Sequence, residues 1–365
     1  MKVGSDFSGV GAFDQALKRL GVNYETVFAC DMDKYARDTF IHNYGEPKYY
    51  PTNVYDREIP SESLDIYMTS PPCQAFSMSG KRLGKEDKRG ILFFNSHEFI
   101  EINKPRFFIF ENVKGLLSDD GGKTFQEWIN MLGGKSVNGL PVLFPLDEAV
   151  PYHLYWQVLN AKNHGVPQNR ERVFLIGIRD DVDNSFQFPK EEQLIKRLKD
   201  ILEDYVDDKY ILSEKMLNGF ISHNENHNKK GTGFIFKPKT EEDIASCLRA
   251  NAALCPTDNS LKVKSAVLKG YEEANIGDSI NFSVPSSETR RGRVGKGVAQ
   301  TLDTYCNQAT IDGLKIRRLT PRECFRLMDF PDTFTWKVSD SQAYKQAGNS
   351  IVVNVLYKIL KQLPL

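Results

Sequence analysis

The feature that most constrains the fold is the apolar run Pro105-Arg-Phe-Phe-Ile-Phe110, which is interrupted by a single charge. A strand that is apolar on both faces is typical of a parallel sheet covered by helices. A second strand-like run, Leu64–Met68, and a helical stretch, Gly90–Asn103, precede it. This alternation of strands and helices predicts an α/β fold. Because such folds bind ligands at the carboxyl ends of their strands, the residues that follow these runs are the first candidates for chemistry.

Cys73 is one such candidate, since it follows the Leu64–Met68 strand within the segment Thr69–Ser77. Pro71 and Pro72 fix two φ angles and lack backbone donors, so the turn before Cys73 is stiff. A stiff turn suits a thiol that attacks one atom from one direction. The alternative is a structural Pro-Pro turn followed by a buried cysteine that acts as a small apolar residue.

The amino-terminal turn has features of a nucleoside site. Gly9 and Gly11 follow a very short strand and permit close approach of a ligand to the backbone. Asp31 ends the next strand about 20 residues later, where a carboxylate accepts hydrogen bonds from ribose hydroxyls. A glycine turn without a ligand is the alternative. The third glycine of a pyrophosphate cradle is missing, and Phe7 and Phe13 could line a pocket for a flat base, which favours a nucleoside without phosphates.

Three more charged residues occupy comparable positions. Glu111 directly follows the Pro105–Phe110 strand, where a carboxyl is either held by hydrogen bonds or has a raised pKa. Arg170 and Arg172 alternate in an extended segment and therefore share one face. One guanidinium could bind a base carbonyl and the other a carboxylate or phosphate. A surface pair of salt bridges would give the same sequence pattern.

Charge excludes a globally basic nucleic-acid binder but not local basic patches. The 365 residues include 48 Lys and Arg and 48 Asp and Glu, so the net charge is zero. The densest basic run is Thr289–Gly297, whose glycines allow close approach to a phosphate backbone, and we expect it to contact DNA. Lys81 and Arg82 lie in a polar loop, Ser77–Arg89, that could meet phosphates or simply be solvated.

Cysteine usage and apolar runs bear on the cellular compartment. Six scattered cysteines without a CxxC pair indicate a reducing compartment and argue against disulfides and a zinc site. His223 and His227 fit no zinc spacing, and we interpret their Asn-rich segment as a loop, so no metal is expected. The chain has no signal-peptide pattern and no apolar run of about 20 residues, so we expect a soluble, intracellular protein.

The carboxyl-terminal part predicts two helices. Leu319–Met328 begins with Thr320 as N-cap and has Glu323 three residues later, the pattern of a capping box. An apolar helix is predicted over Ile351–Leu363. The preceding Gly348-Asn349-Ser350 would place polar side chains and free amides at its positive end.

Taken together, these blocks resemble the DNA (cytosine-5) methyltransferases of bacterial or phage type. Seven blocks follow in the family's order, with a variable stretch in the expected gap, and they cover nearly the whole chain. The blocks are Phe7–Gly11, Pro72–Gln74, Asp87–Phe93, Glu111–Val113, Gln168–Arg172, Leu319–Glu323 and Gln346–Ser350.

The resemblance implies a Rossmann-like, S-adenosylmethionine-dependent methyltransferase sheet, mixed and mostly parallel, with a smaller, irregular target-recognition domain. The expected catalytic and cofactor-binding domain spans residues 1–180, and the target-recognition domain spans 181–338. Residues 339–365 would return to the catalytic domain. The variable region would cover residues 181–312, with Thr301-Leu302 as its internal landmark.

The resemblance also implies a mechanism in which a cytosine of duplex DNA is flipped out and methylated at carbon 5. The Cys73 thiolate would add to ring carbon 6, and Glu111 would bond ring nitrogen 3 and the exocyclic amine. Arg172 would bind the cytosine carbonyl while Arg170 orders the site. The expected cofactor positions are Phe7, Gly9, Gly11, Asp31, Asn53, Pro72, Leu92, Asn349 and Ser350. The expected DNA contacts are Gln74, Ser77, Lys81, Arg82, Arg290, Arg291, Arg293, Lys296 and Thr301.

Two positions depart from the family pattern, because Asp31 is commonly Glu and Asn53 is commonly Asp. Weaker cofactor binding is compatible with both. The expected partner is double-stranded DNA, with a cognate restriction endonuclease and no membrane, and we expect a cytoplasmic monomer of bacterial or phage origin. A tRNA cytosine-5 methyltransferase is the nearest alternative. A catalytically silent DNA-binding regulator is a second, and the first glycine turn disfavours a nicotinamide dehydrogenase.

Overall fold

The computed structural model describes residues 1–72, 91–230, 237–250, 260–262, 279–281, 293–295, 308–310 and 316–365. The chain divides into two compact units. The first unit comprises Met1–Lys196, Ser246–Ala252 and Cys324–Leu365. The second unit comprises Arg197–Ala245 and Ala253–Glu323.

A mixed eight-stranded sheet forms the centre of the first unit. Its parallel part contains β1 (Lys2–Asp6), β2 (Glu25–Cys30), β3 (Ile66–Thr69) and β4 (Phe107–Val113). The remaining strands of this unit are β5 (Ser136–Val137), β6 (Leu140–Pro141), β7 (Tyr152–Asn160), the short β8 (Gln168–Asn169) and β9 (Glu171–Arg179). The strand order in the sheet is β2-β1-β3-β4-β9-β7-β5-β6, and β9 is antiparallel to both β4 and β7. The carboxyl ends of β1, β3 and β4 therefore lie at one edge.

The second unit has short antiparallel strands. The described ones are β10 (Ala245–Ser246, at the boundary of the units), β11 (Ser260–Lys262), β12 (Ser279–Asn281), β13 (Arg293–Gly295), β14 (Gln308–Thr310) and β15 (Ile316–Arg318). Strand β12 pairs with β13 and β14, and β11 pairs with β15.

The described helices are α1 (Ala12–Leu20), α2 (Lys34–Tyr44), α3 (Ile91–Asn103), α4 (Lys123–Leu132), α5 (Glu214–Lys230), α6 (Pro321–Leu327), α7 (Asp340–Asn349) and α8 (Val353–Leu360). Short 3₁₀ turns occupy Lys114–Gly122, Ala161–His164, Leu198–Asp200 and Asp208–Tyr210. Within the described ranges, each helix is too short or too polar to span a bilayer.

Local contacts determine where several of these elements begin. Helix α1 follows the glycine turn after β1, and α2 begins after Asp33, whose carboxylate accepts from the amides of Tyr35 and Ala36. The predicted capping box is confirmed, because the Glu323 carboxylate accepts from the Thr320 amide at 2.8 Å and the Glu323 amide donates to the Thr320 hydroxyl at 3.2 Å.

Two predictions of local structure are wrong. The segment with His223 and His227 is not a loop, because its backbone lies in α5. Gly348 and Asn349 do not precede a helix with free amides but form the last turn of α7, and the Ser350 amide donates back to the carbonyls of Gln346 and Ala347. The helix that follows is α8, which is shorter at both ends than the predicted span.

The core of the sheet is aromatic. Phe107, Phe108 and Phe110 of β4 are fully buried. Phe108 lies opposite Gly177 of β9, where a Cβ would come within 2.0 Å of the Phe108 ring, so only glycine fits. The Tyr67 ring stacks on that of Phe99 with centroids 4.1 Å apart. Burial on both faces of β4 explains why its sequence is apolar. The same packing supports the strands whose carboxyl ends meet at one edge of the sheet.

A buried carboxyl on α1 makes the stability depend on pH. Asp14 accepts a hydrogen bond from the Thr26 hydroxyl at 2.8 Å, and burial raises the pKa of Asp14 from 3.8 to about 6. Between pH 4 and pH 6 the native state therefore holds a proton that the unfolded state loses. The free energy of unfolding falls by about 3 kcal/mol as the pH rises through this range. Urea unfolding between pH 4 and pH 7 should show this slope reduced in Asp14→Asn. An exposed control, Asp147→Asn, should retain it. Parallel profiles for all three proteins would contradict the assignment.

Candidate active site

The turn between β1 and α1 has an unusual backbone. Phe7, Gly9 and Gly11 have φ angles of 57°, 54° and 84°, all in the left-handed region. A Cβ on Gly11 would lie 2.3 Å from the Tyr44 ring, so glycine is required there. The turn thus lies close to its neighbours and exposes backbone at the carboxyl end of β1.

Asp31 holds this turn in place. One carboxylate oxygen accepts from the Gly9 amide and the other from the Asp33 amide, each at 2.8 Å. Burial raises the pKa of Asp31, and the two backbone hydrogen bonds oppose that rise. Each carboxylate oxygen has a further lone pair, so Asp31 is able to accept additional hydrogen bonds from a ligand.

A cavity opens beside this turn. It is formed by the β1–α1 turn, the carboxyl end of β3 and the junction of α7 and α8. Its walls include Phe7, Gly9, Phe13, Met68, Ser70, Asn349 and Ser350. The fold therefore brings together residues from the two ends of the chain that the sequence analysis assigned to one cofactor.

Five of the predicted cofactor residues do not line this cavity, namely Gly11, Asp31, Asn53, Pro72 and Leu92. Asn53 is exposed, its side-chain oxygen accepts from the Tyr55 amide at 3.1 Å, and its amide donates to Asp56 at 3.0 Å. Pro72 is exposed, and Leu92 packs against the apolar core. Asn53 thus forms an Asx turn, and its oxygen has one lone pair left for a ligand.

Buried Glu111 forms an ion pair with half-buried Arg172 at the end of β4. Arg172 Nε lies 3.0 Å from Glu111 Oε1, and the carboxyl residue is 7% exposed. Arg172 sits opposite Val113 in the antiparallel register of β4 and β9. Burial raises the pKa of Glu111, while the positive charges of Arg172 and Arg170 oppose the rise. The carboxyl thus retains a proton to higher pH than an exposed glutamate does.

Arg170 is buried and both of its terminal nitrogens donate to backbone carbonyls, so it is not part of a surface salt-bridge pair. Its Nη1 donates to the Leu248 carbonyl at 3.1 Å, and its Nη2 donates to the carbonyls of Gly348 and Ser350 at 3.0 and 2.9 Å. Arg170 as a whole is only 3% exposed. Arg170 therefore fixes the end of α7, which lines the cavity, against the strand that carries Arg172.

Sequence reasoning did not assign roles to several buried polar residues here. Gln168 donates to the Leu327 carbonyl at 2.7 Å and accepts from the Leu248 amide at 3.1 Å. Arg57 donates to both carboxylate oxygens of Asp6 at 2.9 Å beneath the β1–α1 turn. These partners are distant in sequence, and only the position of Gln168 within a family block gave a signal.

Several predicted residues fall outside the described residues. They are Cys73, Gln74, Ser77, Lys81, Arg82, Arg290, Arg291, Lys296 and Thr301. Arg293 lies in β13, where its backbone pairs with Asn281. Among the residues that the structure does describe, no group of three or more His, Cys, Asp or Glu side chains is arranged to hold a metal ion.

Comparisons with known proteins agree on one family. The sequence model described as "C-5 cytosine-specific DNA methylase" matches residues 1–364. The type II methyltransferase M.HpaII of Haemophilus parainfluenzae is 33% identical over 365 residues, covering 98% of this chain and 88% of that protein. The orphan methyltransferase M.SPRI of Bacillus phage SPR is 32% identical over 446 residues, covering 100% and 97%.

Solved structures extend the similarity to the fold. The S. pombe Dnmt2 methyltransferase superposes with a TM-score of 0.67 at 19% identity, covering 99% of this chain and 97% of that chain. The DNMT2 mutant of Spodoptera frugiperda superposes with a TM-score of 0.68 at 22% identity, covering 99% and 98%. At these identities the likeness concerns the fold alone, and it agrees with the methyltransferase sheet expected from the sequence.

Proposed function

This chain belongs to the C-5 cytosine-specific DNA methylases, and from that premise we propose that it methylates carbon 5 of a cytosine flipped out of duplex DNA, through a covalent adduct with Cys73. The methyl donor is S-adenosylmethionine. The target lies within a specific DNA sequence, which the second unit would read.

The observation that carries this proposal is the ion pair of Glu111 and Arg172, 3.0 Å apart at the end of β4. Strand β3 is the neighbour of β4 and leads directly into Pro72 and Cys73. A carboxyl with a raised pKa and a guanidinium thus meet at the sheet edge where β3 also ends, and the proposal assigns the thiol that follows β3 in the sequence to the same edge. A silent DNA-binding regulator has no need for a buried carboxyl of this kind, which favours catalysis.

Residues at and next to the β1–α1 turn supply the groups that a nucleoside cofactor needs. The Asp31 carboxylate has free lone pairs for ribose hydroxyls, and Phe7 and Phe13 are apolar residues of the cavity lining. Asn349 and Ser350 contribute polar groups to the same lining. S-adenosylmethionine, when bound there, supplies an electrophilic methyl group on a sulfonium.

The expected chemistry divides among three side chains. The Cys73 thiolate forms a bond to ring carbon 6, and the electrons of the 5,6 double bond move toward ring nitrogen 3. Protonated Glu111 donates to that nitrogen, and Arg172 binds the ring carbonyl, so both stabilise the charge that develops. Carbon 5 then takes the methyl group, the neutral thioether of the former sulfonium leaves, and nitrogen 3 returns its proton to Glu111. Loss of the carbon 5 proton to a base, with departure of the Cys73 thiolate, restores the 5,6 double bond.

The cofactor role of Asp31 has a direct test. Asp31→Asn keeps one acceptor but loses a second, so the Gly9 turn and the ribose compete for fewer lone pairs. We expect the dissociation constant for S-adenosylmethionine, measured by isothermal titration calorimetry, to rise by about 5- to 100-fold, corresponding to 1–3 kcal/mol. Asp38→Asn, an exposed change on α2, should bind as the wild type does. Equal affinity in both variants would remove Asp31 from the cofactor site.

The nucleic-acid substrate also has a direct test. The family description and the curated relatives favour DNA over the alternative of tRNA. Tritium transfer from labelled cofactor should appear in duplex DNA and not in tRNA. Label in tRNA alone would overturn the choice of substrate. Bisulfite sequencing of DNA from cells that express the protein would then give the target sequence.

The remaining expectations concern organisation and partners. We propose that residues 1–180 and 339–365 carry catalysis and that residues 181–338 carry target recognition. We further propose that the protein acts as a cytoplasmic monomer, paired with a cognate restriction endonuclease. Because we propose that the basic run Thr289–Gly297 contacts DNA phosphates, the affinity for DNA should fall steeply as the salt concentration rises.

A further inference from the structure

We propose that Asn112 is a positioning residue that fixes the Pro71–Pro72 turn, and with it the start of the Cys73 segment, against the strand that carries Glu111. The proposal rests on the proposed function, since it concerns the relative placement of the attacking thiol and the carboxyl. It adds a role for a side chain that touches neither cytosine nor cofactor.

The strand pairing leaves a gap that Asn112 fills. The parallel register of β3 and β4 ends with Thr69 opposite Phe110, whereas β4 continues to Val113 against β9. The chain beyond Thr69 contains Pro71 and Pro72, which have no amide hydrogen and donate nothing to β4. Up to Pro72, where the described residues of this segment end, no backbone ladder ties the turn to the last residues of β4.

The Asn112 side chain makes the missing connection. Its Nδ2 donates to the Pro71 carbonyl at 3.0 Å, and its Oδ1 accepts from the Val113 amide at 2.8 Å. The residue is 5% exposed, so water does not compete for these groups. Both ends of the amide are thus committed, one to the proline turn and one to the backbone of its own strand.

This connection matters for catalysis because Asn112 is adjacent to Glu111. Glu111 directly precedes Asn112 in β4, and its carboxylate pairs with Arg172. The Glu111 carboxyl and the Pro71 carbonyl are therefore both attached to the same end of β4, one by the chain and one by the Asn112 hydrogen bond. The thiol and the carboxyl address two different atoms of one pyrimidine ring. Their separation must match the ring, and a misplacement of about 1 Å costs about 100-fold in rate.

A purely structural role is the competing explanation, and the chain offers a matched control for it. Asn103 is also 5% exposed, and its Nδ2 donates to the carbonyls of Pro60 and Glu62 at 2.8 and 2.9 Å. Its Oδ1 accepts from the Leu64 amide at 3.0 Å. Asn103 therefore resembles Asn112 in burial and bonding, but it lies at the opposite, amino-terminal edge of β3 and β4.

The test compares adduct formation in full-length variants. The variants are Asn112→Ala, Asn112→Asp and Asn103→Ala, each first checked for folding by thermal unfolding. Duplex DNA that contains 5-fluorocytosine traps the covalent adduct in the presence of S-adenosylmethionine, and the rate of trapping is measured under single-turnover conditions. Cofactor affinity is measured in parallel by calorimetry.

We expect both Asn112 variants to trap about 10- to 100-fold more slowly than the wild type, with cofactor affinity nearly unchanged. Asn112→Asp is included because it keeps the acceptor for the Val113 amide and replaces the donor to Pro71 with a carboxyl oxygen. Asn103→Ala should lose at least as much thermal stability and trap at the wild-type rate. Equal trapping rates in the Asn112 and Asn103 variants would overturn the inference. Absence of an adduct in the wild type would instead overturn the proposed function, and the inference with it.

Discussion

Replacing Cys73 with serine should lower the rate of methyl transfer by at least about 10⁴-fold, the scale on which loss of an attacking residue acts. A serine hydroxyl is a much weaker nucleophile than a thiolate at neutral pH, so the adduct at ring carbon 6 would not form. Cofactor binding should survive, because we assign it to residues around the β1–α1 turn and at the junction of α7 and α8. The measurements are tritium transfer to duplex DNA and calorimetric titration with S-adenosylmethionine.

The control for this prediction is the same substitution elsewhere. Cys324 is buried on α6, so Cys324→Ser should lower the melting temperature and leave turnover close to that of the wild type. Unchanged turnover in Cys73→Ser would remove the covalent step from the mechanism. Loss of cofactor binding in Cys73→Ser would instead indicate a role for this residue in the cofactor site.

Glu111→Gln should have the second largest effect, a loss of about 10²- to 10⁴-fold in the single-turnover rate. Glutamine has nearly the same shape and can donate a hydrogen bond to ring nitrogen 3, but it has no acidic proton to transfer to that nitrogen. The substitution also leaves Arg172 without its carboxylate partner at 3.0 Å. Rapid-quench measurement of methyl transfer at saturating cofactor and DNA tests this directly.

The pH dependence of the Glu111 step follows from its environment. Because burial raises the pKa of Glu111, its protonated fraction is largest at low pH and declines as the pH rises through that value. Thiolate formation changes in the opposite sense, so the wild type should show a bell-shaped profile. Glu111→Gln should lose the decline on the alkaline side that the carboxyl causes.

Glu171 supplies the matched control for this variant. It lies between the two arginines, but its exposed carboxylate pairs with Lys114 at 3.0 Å. Glu171→Gln should therefore keep wild-type turnover and pH profile. If both glutamine variants were equally slow, general loss of charge near β9, and not the carboxyl of Glu111, would be responsible.

The sequence predicted correctly those features that depend on residues close together in the chain. The capping box of Thr320 and Glu323 depends on two residues that are close in the sequence. The buried strand β4 was recognisable because its aromatic run leaves no polar face. The order of the blocks was sufficient to identify the family before any geometry was known.

The sequence could not predict contacts between distant segments. The acceptors of Arg170 come from residues 248, 348 and 350, so nothing near position 170 shows that the side chain is buried. The same holds for the bond between Asn112 and Pro71, which spans 41 positions. The asparagine-rich composition around His223 and His227 led to the wrong prediction of a loop, whereas the backbone lies in α5. Asparagine disfavours a helix by less than about 1 kcal/mol per residue and does not forbid one.

The central claim is a transient bond between the sulfur of Cys73 and a cytosine in DNA. Incubation of the wild-type protein with duplex DNA that contains 5-fluorocytosine and with S-adenosylmethionine should give a denaturation-resistant complex. Mass spectrometry of its proteolytic fragments should map the modification to Cys73. Either no complex in the presence of cofactor or a cross-link to another residue would contradict the account.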